Sequence, residues 1–283
     1  MTGLVLEGGA LRTIYSSGVC DGLLHEGIRA DYVVGVSAGI AYGVSYVSGQ
    51  EGRNLEIVTR YARDGRYMGA GNMLRRRNHY SYFGLDFVYD DIPNVLVPFD
   101  YDAYNAFPGL VEAGVTNLLT GETDYYTVDC ADRRLILLRA SCAMPLLFPT
   151  YKINGKPYLD GGVGDSVPFR QALRRDCDKL IVVLTRERSY YRQPERLEGA
   201  IRRHYEEYPA FCQAIRTRAA RYNADRAELL RLEKAGKALI FCPKSTRGFS
   251  RTERDLTKIR ALWQEGYDEA LERADQVRSF IAV

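Results

Sequence analysis

The chain has 283 residues, 46% hydrophobic and 27% charged, with a formal net charge of +3. That balance suits a globular protein with a substantial core; it excludes a disordered chain and creates no field that demands nucleic acid. No apolar run approaches a membrane span, and the opening "MTGLVLEGGALR" lacks the regions of a signal peptide, so a cytoplasmic, non-spanning protein is expected.

In chain order, "GLVL" reads as a short, fully apolar strand suited to a central parallel position, and "EGGA" breaks it. Residues 11–26 carry Leu11, Ile14, Tyr15, Gly18, Val19 and Leu23 on roughly one helical face, with Gly27 as the C-terminal cap. "DYVVGV" predicts a second buried strand and "SAGIAYGVSYVSG" a second helix. From 52 to 110 the pattern turns irregular, with Pro93, Pro98 and Pro108 interrupting any long element, so an insertion or cap is expected there. Within it, Arg75, Arg76 and Arg77 form a basic cluster that reads as a solvated loop. Tyr80, Tyr82, Phe83, Phe87 and Tyr89 are close together and suited to core packing or to shaping a pocket.

"LVEAGVTNLLTGETDYYTV" predicts a hairpin turning at Gly121. "RRLILLRASCAMPLLFP" predicts a helix stopped near Pro145, and "YKINGKPYLDGG" a hairpin with Asn154-Gly155 in a type I′ turn. "KLIVVLT" and "ALIFCP" are further buried strands. The last third is helical, with one stripe at Phe211, Ile215, Ala219, Tyr222 and Leu229 and another at Leu256, Ile259, Trp263, Tyr267, Leu271 and Ala274. Alternating strands and helices predict an α/β fold with a mainly parallel sheet, as one domain over residues 1–283. The six cysteines show no CxxC pair and no zinc-site spacing with histidine, so they are expected as reduced thiols.

Gly35-Val36-Ser37-Ala38-Gly39 is a GxSxG pentapeptide at a predicted strand-to-helix junction. A sharp elbow there forces the middle residue into strained backbone angles and lifts its hydroxyl above the sheet, while the flanking glycines allow close approach. Alone, the pentapeptide is weak evidence. A nucleophilic serine also needs donors aimed at the developing oxyanion, and the bare amides of Gly8 and Gly9, assisted by Ala38, can supply them. A dinucleotide loop fits less well, because "GGALRT" lacks GxGxxG spacing and no acid follows the second strand.

The base is harder to assign. Only His25, His79 and His204 are available, and His204 in "IRRHYEEY" reads as part of a charged helix face. "YLDGGVGDSVP" offers Asp160 after a short apolar strand, with Gly161 and Gly162 permitting a tight turn against another backbone. A carboxylate with a reference pKa of roughly 3.9 is a poor base for a hydroxyl, so such a site depends on positioning and oxyanion stabilisation.

The glycine loop in "LEGGALR", then "GVSAG", then "ASCAMPLLFP…YLDGG", in that order, resembles the patatin-like phospholipase family, specifically its compact bacterial members. The resemblance implies a three-layer α/β/α serine acyl hydrolase using a Ser-Asp dyad. Ser37 would be the nucleophile, Asp160 the base, and the loop through Gly8, Gly9, Ala10 and Arg12, with Ala38, the oxyanion hole. No metal or cofactor and no protein partner is implied; the substrate would be a lipid or other acyl ester, reached through transient contact with a membrane surface. The chain departs from the family loop at Ala10 and Thr13, where glycines are common. Ala10 is expected to present its amide without positive φ. Two other functions fit the same residues: an α/β-hydrolase triad of Ser37, Asp160 and His204, and a non-catalytic protein that binds lipid or acyl groups.

Overall fold

The computed structural model describes residues 1–74 and 81–282. The cluster Arg75, Arg76 and Arg77, together with His79 and Tyr80, lies outside the described residues. Among the described residues eight strands form one sheet: β1 (Thr2–Leu6), β2 (Tyr32–Val36), β3 (Leu110–Asn117), β4 (Thr123–Thr127), β5 (Tyr151–Ile153), β6 (Lys156–Asp160), β7 (Lys179–Val183) and β8 (Ala238–Phe241). Strands β3, β2, β1, β7 and β8 run parallel, and β4, β5 and β6 join as antiparallel additions.

Ten α-helices surround the sheet: α1 (Ile14–His25), α2 (Ala38–Val47), α3 (Arg53–Tyr61), α4 (Tyr101–Asn105), α5 (Ile136–Ser141), α6 (Phe169–Arg174), α7 (Glu198–His204), α8 (Pro209–Lys234), α9 (Leu256–Glu272) and α10 (Ala274–Ile281), counted among the described residues. The alternation of side chains along a strand separates two cores. Leu4 and Leu6 face α1, α2 and α9, whereas Val5 faces Phe169 and Ala172 of α6 and Tyr222 and Leu229 of α8. The result is a three-layer α/β/α arrangement with a mostly parallel sheet.

Two expectations shift. The C-terminal stripe is rotated from the one read in the sequence: Ile259, Leu262, Gly266 and Ala270 are the buried residues of α9, while Trp263 and Tyr267 are only half-buried. The cause is backbone contact between α1 and α9. A side chain at Gly18 would meet the Trp263 carbonyl at 2.0 Å, and one at Gly266 would meet the Tyr15 carbonyl at 2.3 Å. Small residues at the crossing admit that approach and turn the bulky rings to its flank.

The helix expected to run toward Pro145 ends at Ser141. Beyond it the backbone is recruited to the strands, with the Ala143 carbonyl accepting from the Asp160 amide at 2.8 Å.

One topological detail positions the site. Strand β3 pairs with β4 along one edge, and its other edge is shared end to end by β2 and β6. β2 finishes with Val36 opposite Gly114, and antiparallel β6 finishes with Asp160 opposite Val115. The residues leaving these two strands, Ser37 and Asp160, therefore meet.

Candidate active site

Ser37 stands between β2 and α2 with φ 55° and ψ −140°. A non-glycine residue at such angles carries roughly 1–3 kcal/mol of strain, which the surroundings must hold. Two contacts do so. The Ser37 amide donates to Ser141 Oγ at 2.8 Å, and the Ser141 hydroxyl donates to the Gly114 carbonyl at 2.8 Å. Gly39 is needed because a Cβ there would lie 2.6 Å from the Leu6 carbonyl oxygen. Ser141 was not singled out in the sequence; its only signal is a small polar residue in the apolar context of "LLRASCAMP".

Asp160 is fixed at every polar atom. Its carbonyl accepts from Thr116 Oγ1 at 2.7 Å, and its Oδ1 accepts from the Gly162 amide at 2.8 Å. Its Oδ2 accepts from Ser37 Oγ at 2.7 Å. The turn after Asp160 lies directly on β3: a Cβ at Gly161 would fall 2.1 Å from the Gly114 carbonyl oxygen. Burial pushes the Asp160 carboxyl above its ordinary value, against the opposing pull of the Ser37 hydroxyl, the Arg218 charge and the Gly162 amide.

The histidines are elsewhere. His25 pairs with Glu51 at 3.6 Å, and exposed His204 packs its ring edge-on against Tyr205 at 4.6 Å. Among the described residues no histidine hydrogen-bonds Ser37 or Asp160, so the structure does not assemble the Ser37-Asp160-His204 arrangement.

The loop after β1 curls over the elbow, close enough that a Cβ on Gly8 would lie 2.8 Å from that of Ser37. Among the described residues the amides of Gly8, Gly9 and Ala10 donate to no protein acceptor. Ala38, as the first residue of α2, has an amide without an intrahelical partner. Gly8, Gly9 and Ala10 line the same cavity as Ser37.

Arg12 differs from expectation, because its amide is spent closing a tight turn onto the Gly9 carbonyl at 3.2 Å, although the residue lines the cavity. Ala10 also differs. Its φ is 51°, so the loop uses the left-handed region despite the methyl group. The next residue explains the hold, since the Leu11 amide is anchored to the Arg251 carbonyl at 3.2 Å. Ala10→Gly is therefore expected to stabilise the fold by about 0.5–1 kcal/mol, the relieved strain exceeding the entropy that glycine adds to the unfolded chain. Urea unfolding measures it; a lower midpoint would contradict the left-handed loop.

Ser37 lies where two cavities join. The first, of about 130 Å³, is apolar and lined by Tyr42, Ile57, Phe83, Tyr89, Ile92 and Phe148. Several of these come from the irregular stretch after α2. Of its aromatic cluster, Phe83 and Tyr89 reach this cavity, while Phe87 packs edge-on against Tyr61 at 5.3 Å and Tyr82 against Phe83 at 5.7 Å. Cys142 also borders it, its thiol pushed up to about 12 by burial and so kept neutral. The second cavity, of about 150 Å³, holds Asp160 and the glycine loop together with Arg12, Arg192, Arg218 and Arg251. Among the described residues no group of His, Cys, Asp and Glu could hold a metal ion, and no helix is long and apolar enough to cross a membrane.

Comparison with known proteins places this geometry in context. Residues 4–173 match the family model described as patatin-like phospholipase, and residues 208–282 match one described as a domain of unknown function (DUF6363). The uncharacterized protein YjjU of Escherichia coli is 26% identical over 199 residues, covering 68% of this chain and 54% of that protein. The lysophospholipase NTE1 of Saccharomyces cerevisiae is 25% identical over 184 residues, covering 64% of this chain and 10% of that protein. The chain thus spans about half of one relative and a tenth of the other. Among solved structures, VipD from Legionella pneumophila aligns with a TM-score of 0.47 at 15% identity, over 97% of this chain and 67% of that one.

Proposed function

Because the chain belongs to the patatin-like phospholipase family, we propose that it is a serine acyl hydrolase of lipid esters, with Ser37 as nucleophile and Asp160 as base. The observation that carries this reading is the 2.7 Å hydrogen bond from Ser37 Oγ to Asp160 Oδ2 at the junction of the two cavities. The apolar cavity takes the acyl chain, and the opposite cavity takes the alcohol portion. Transient contact with a lipid surface delivers the substrate.

In acylation, Ser37 Oγ attacks the ester carbon and its proton passes to Asp160. Negative charge develops on the carbonyl oxygen beside the amides of Gly8, Gly9, Ala10 and Ala38; one such donor is typically worth about 3 to 4 kcal/mol. Collapse breaks the bond to the alcohol oxygen, which takes the proton from Asp160 and leaves an acyl-Ser37 ester. Water then attacks that ester, Asp160 accepts its proton and returns one to Ser37 Oγ, and the carboxylic acid departs. Burial of Asp160 makes it a stronger base than a solvated carboxylate, which suits this role. The Ala10 amide is already unengaged, so Ala10→Gly should alter the hydrolysis rate by less than about threefold, whereas recovery of a missing donor would give a hundredfold or more.

Labelling with an active-site-directed fluorophosphonate, followed by peptide mass spectrometry, tests the assignment. The adduct is expected on Ser37; a protein that hydrolyses esters yet carries the adduct elsewhere, or takes none, overturns it. The pH profile supplies a second check. Protonated Asp160 cannot accept the Ser37 proton, so kcat/KM should fall as pH drops through a value above 3.8, the ordinary aspartate value, and hold above it. An acid limb at or below 3.8 would remove Asp160 as the base.

A further inference from the structure

The second cavity contains more positive charge than the hydrolytic chemistry uses. Arg12, Arg192, Arg218 and Arg251 line it, and the acids among its lining residues are Asp160 and Glu195; Glu7 and Arg186, which also act on the Arg12 charge, lie outside that lining. Glu195 reaches Arg218 only at 3.9 Å. The Nε atoms of Arg12 and Arg218 are buried without a hydrogen-bond partner. Arg192 spends one contact on Ser166 Oγ at 3.3 Å and lies over the Tyr222 ring. Burial and the neighbouring guanidinium charges lower Arg218 to about 9, and burial with Arg186 and Arg251 lowers Arg12 to about 10. Two desolvated cations, Arg12 and Arg218, each with an unused donor and crowded by neighbouring guanidinium groups, form a site that an anion completes.

Four guanidinium groups against two carboxylates leave an excess of two positive charges, which a phosphate group with its several acceptor oxygens matches better than a carboxylate does. We propose that Arg218 and Arg251, with Arg12 and Arg192, bind the phosphate of the substrate's leaving group, so that the enzyme selects acyl esters of a glycerophosphate over neutral glycerides. The proposal rests on the reading of Ser37 and Asp160 as the hydrolytic pair. It also gives a role to the C-terminal segment matched at residues 208–282, which contributes Arg218 from α8 and Arg251 from the loop before α9. Through its carbonyl, Arg251 also anchors the Leu11 amide in the glycine loop, so the segment that reads the anion touches the loop that holds the oxyanion.

The test compares kcat/KM for a short-chain 1-acylglycerol 3-phosphate with that for the monoacylglycerol of the same chain, both dissolved as monomers. Wild type is expected to favour the phosphate ester at least about tenfold, and Arg218→Gln and Arg251→Gln each to reduce that ratio at least about fivefold, as befits loss of a charge-assisted hydrogen bond. Since both rates are read on one preparation, partial unfolding or a disturbed Asp160 cancels from the ratio.

Calorimetric titration with glycerol 3-phosphate, glycerol and inorganic phosphate gives a readout independent of turnover. Glycerol 3-phosphate should saturate a site that glycerol does not, and Arg251→Gln should weaken it at least about fivefold. A wild-type ratio near one, a ratio unmoved by both variants, or no saturable binding of glycerol 3-phosphate overturns the proposal. Tighter binding of inorganic phosphate with a ratio near one identifies a site for the free anion and equally overturns the headgroup assignment. If neither ester is cleaved and Ser37 takes no fluorophosphonate, the hydrolase reading is what fails, and the titration still decides whether the arginines bind phosphate.

Discussion

Ser37→Ala is expected to lower ester turnover at least about 10⁴-fold while the protein remains folded. The loss follows because the reacting oxygen itself is removed, and the neighbouring hydroxyl at the end of β2, Ser141 Oγ, already donates to the Gly114 carbonyl. Folding should persist because alanine inherits the same φ of 55° at no greater steric cost, and the contact from its amide to Ser141 does not involve the lost atom. The buried Asp160 carboxylate does lose one donor, so a small change in melting temperature is expected. Turnover by the purified variant, measured against wild type with a nitrophenyl ester, checks the prediction; retained activity with an intact fold would mean that another residue is the nucleophile.

Asp160→Asn is expected to cost 10² to 10⁴ in rate, the usual worth of a general base, because an amide cannot accept the serine proton. Its effect on stability should have the opposite sign. A carboxyl whose pKa is raised by burial favours the folded state only while protonated, so that its stabilising share is complete below the ordinary value of 3.8 and is lost as pH rises through the folded value. At pH 7 the native Asp160 is therefore a liability that the amide lacks, and asparagine still accepts from the Gly162 amide and can donate to Ser37 Oγ. The variant should melt at or above the wild-type temperature at pH 7, with the advantage shrinking as pH approaches 4. A rate loss below about tenfold would direct attention to Asp165, which lies five residues on and hydrogen-bonds Tyr125 at 2.7 Å. A lower melting temperature at pH 7 would mean that Asp160 contributes to the fold chiefly as an ion.

Much of this protein is determined locally and so is legible in its residues alone. The doubly buried strands announce themselves as unbroken apolar runs, and Gly27 and the Asn154-Gly155 turn have the positive φ values that their positions require. The elbow at Ser37 needs only a strand, a helix and small neighbours, all within a dozen residues. Other features depend on segments far apart in the chain, which no local pattern encodes. Whether Asp160 meets Ser37 depends on β2 and β6 ending on adjacent residues of β3, 123 positions separating the two side chains. The left-handed Ala10 is held where the chain passes Arg251, against its own steric preference, and the α9 stripe is turned by glycines of α1. The arginines of the second cavity look like ordinary charged positions along the sequence, two of them on or beside helices with exposed faces. Only the packing of the C-terminal segment over the glycine loop withdraws Arg12 and Arg218 from water and crowds their charges against their neighbours, because burial and mutual repulsion are properties of the assembled chain and of no single stretch of it.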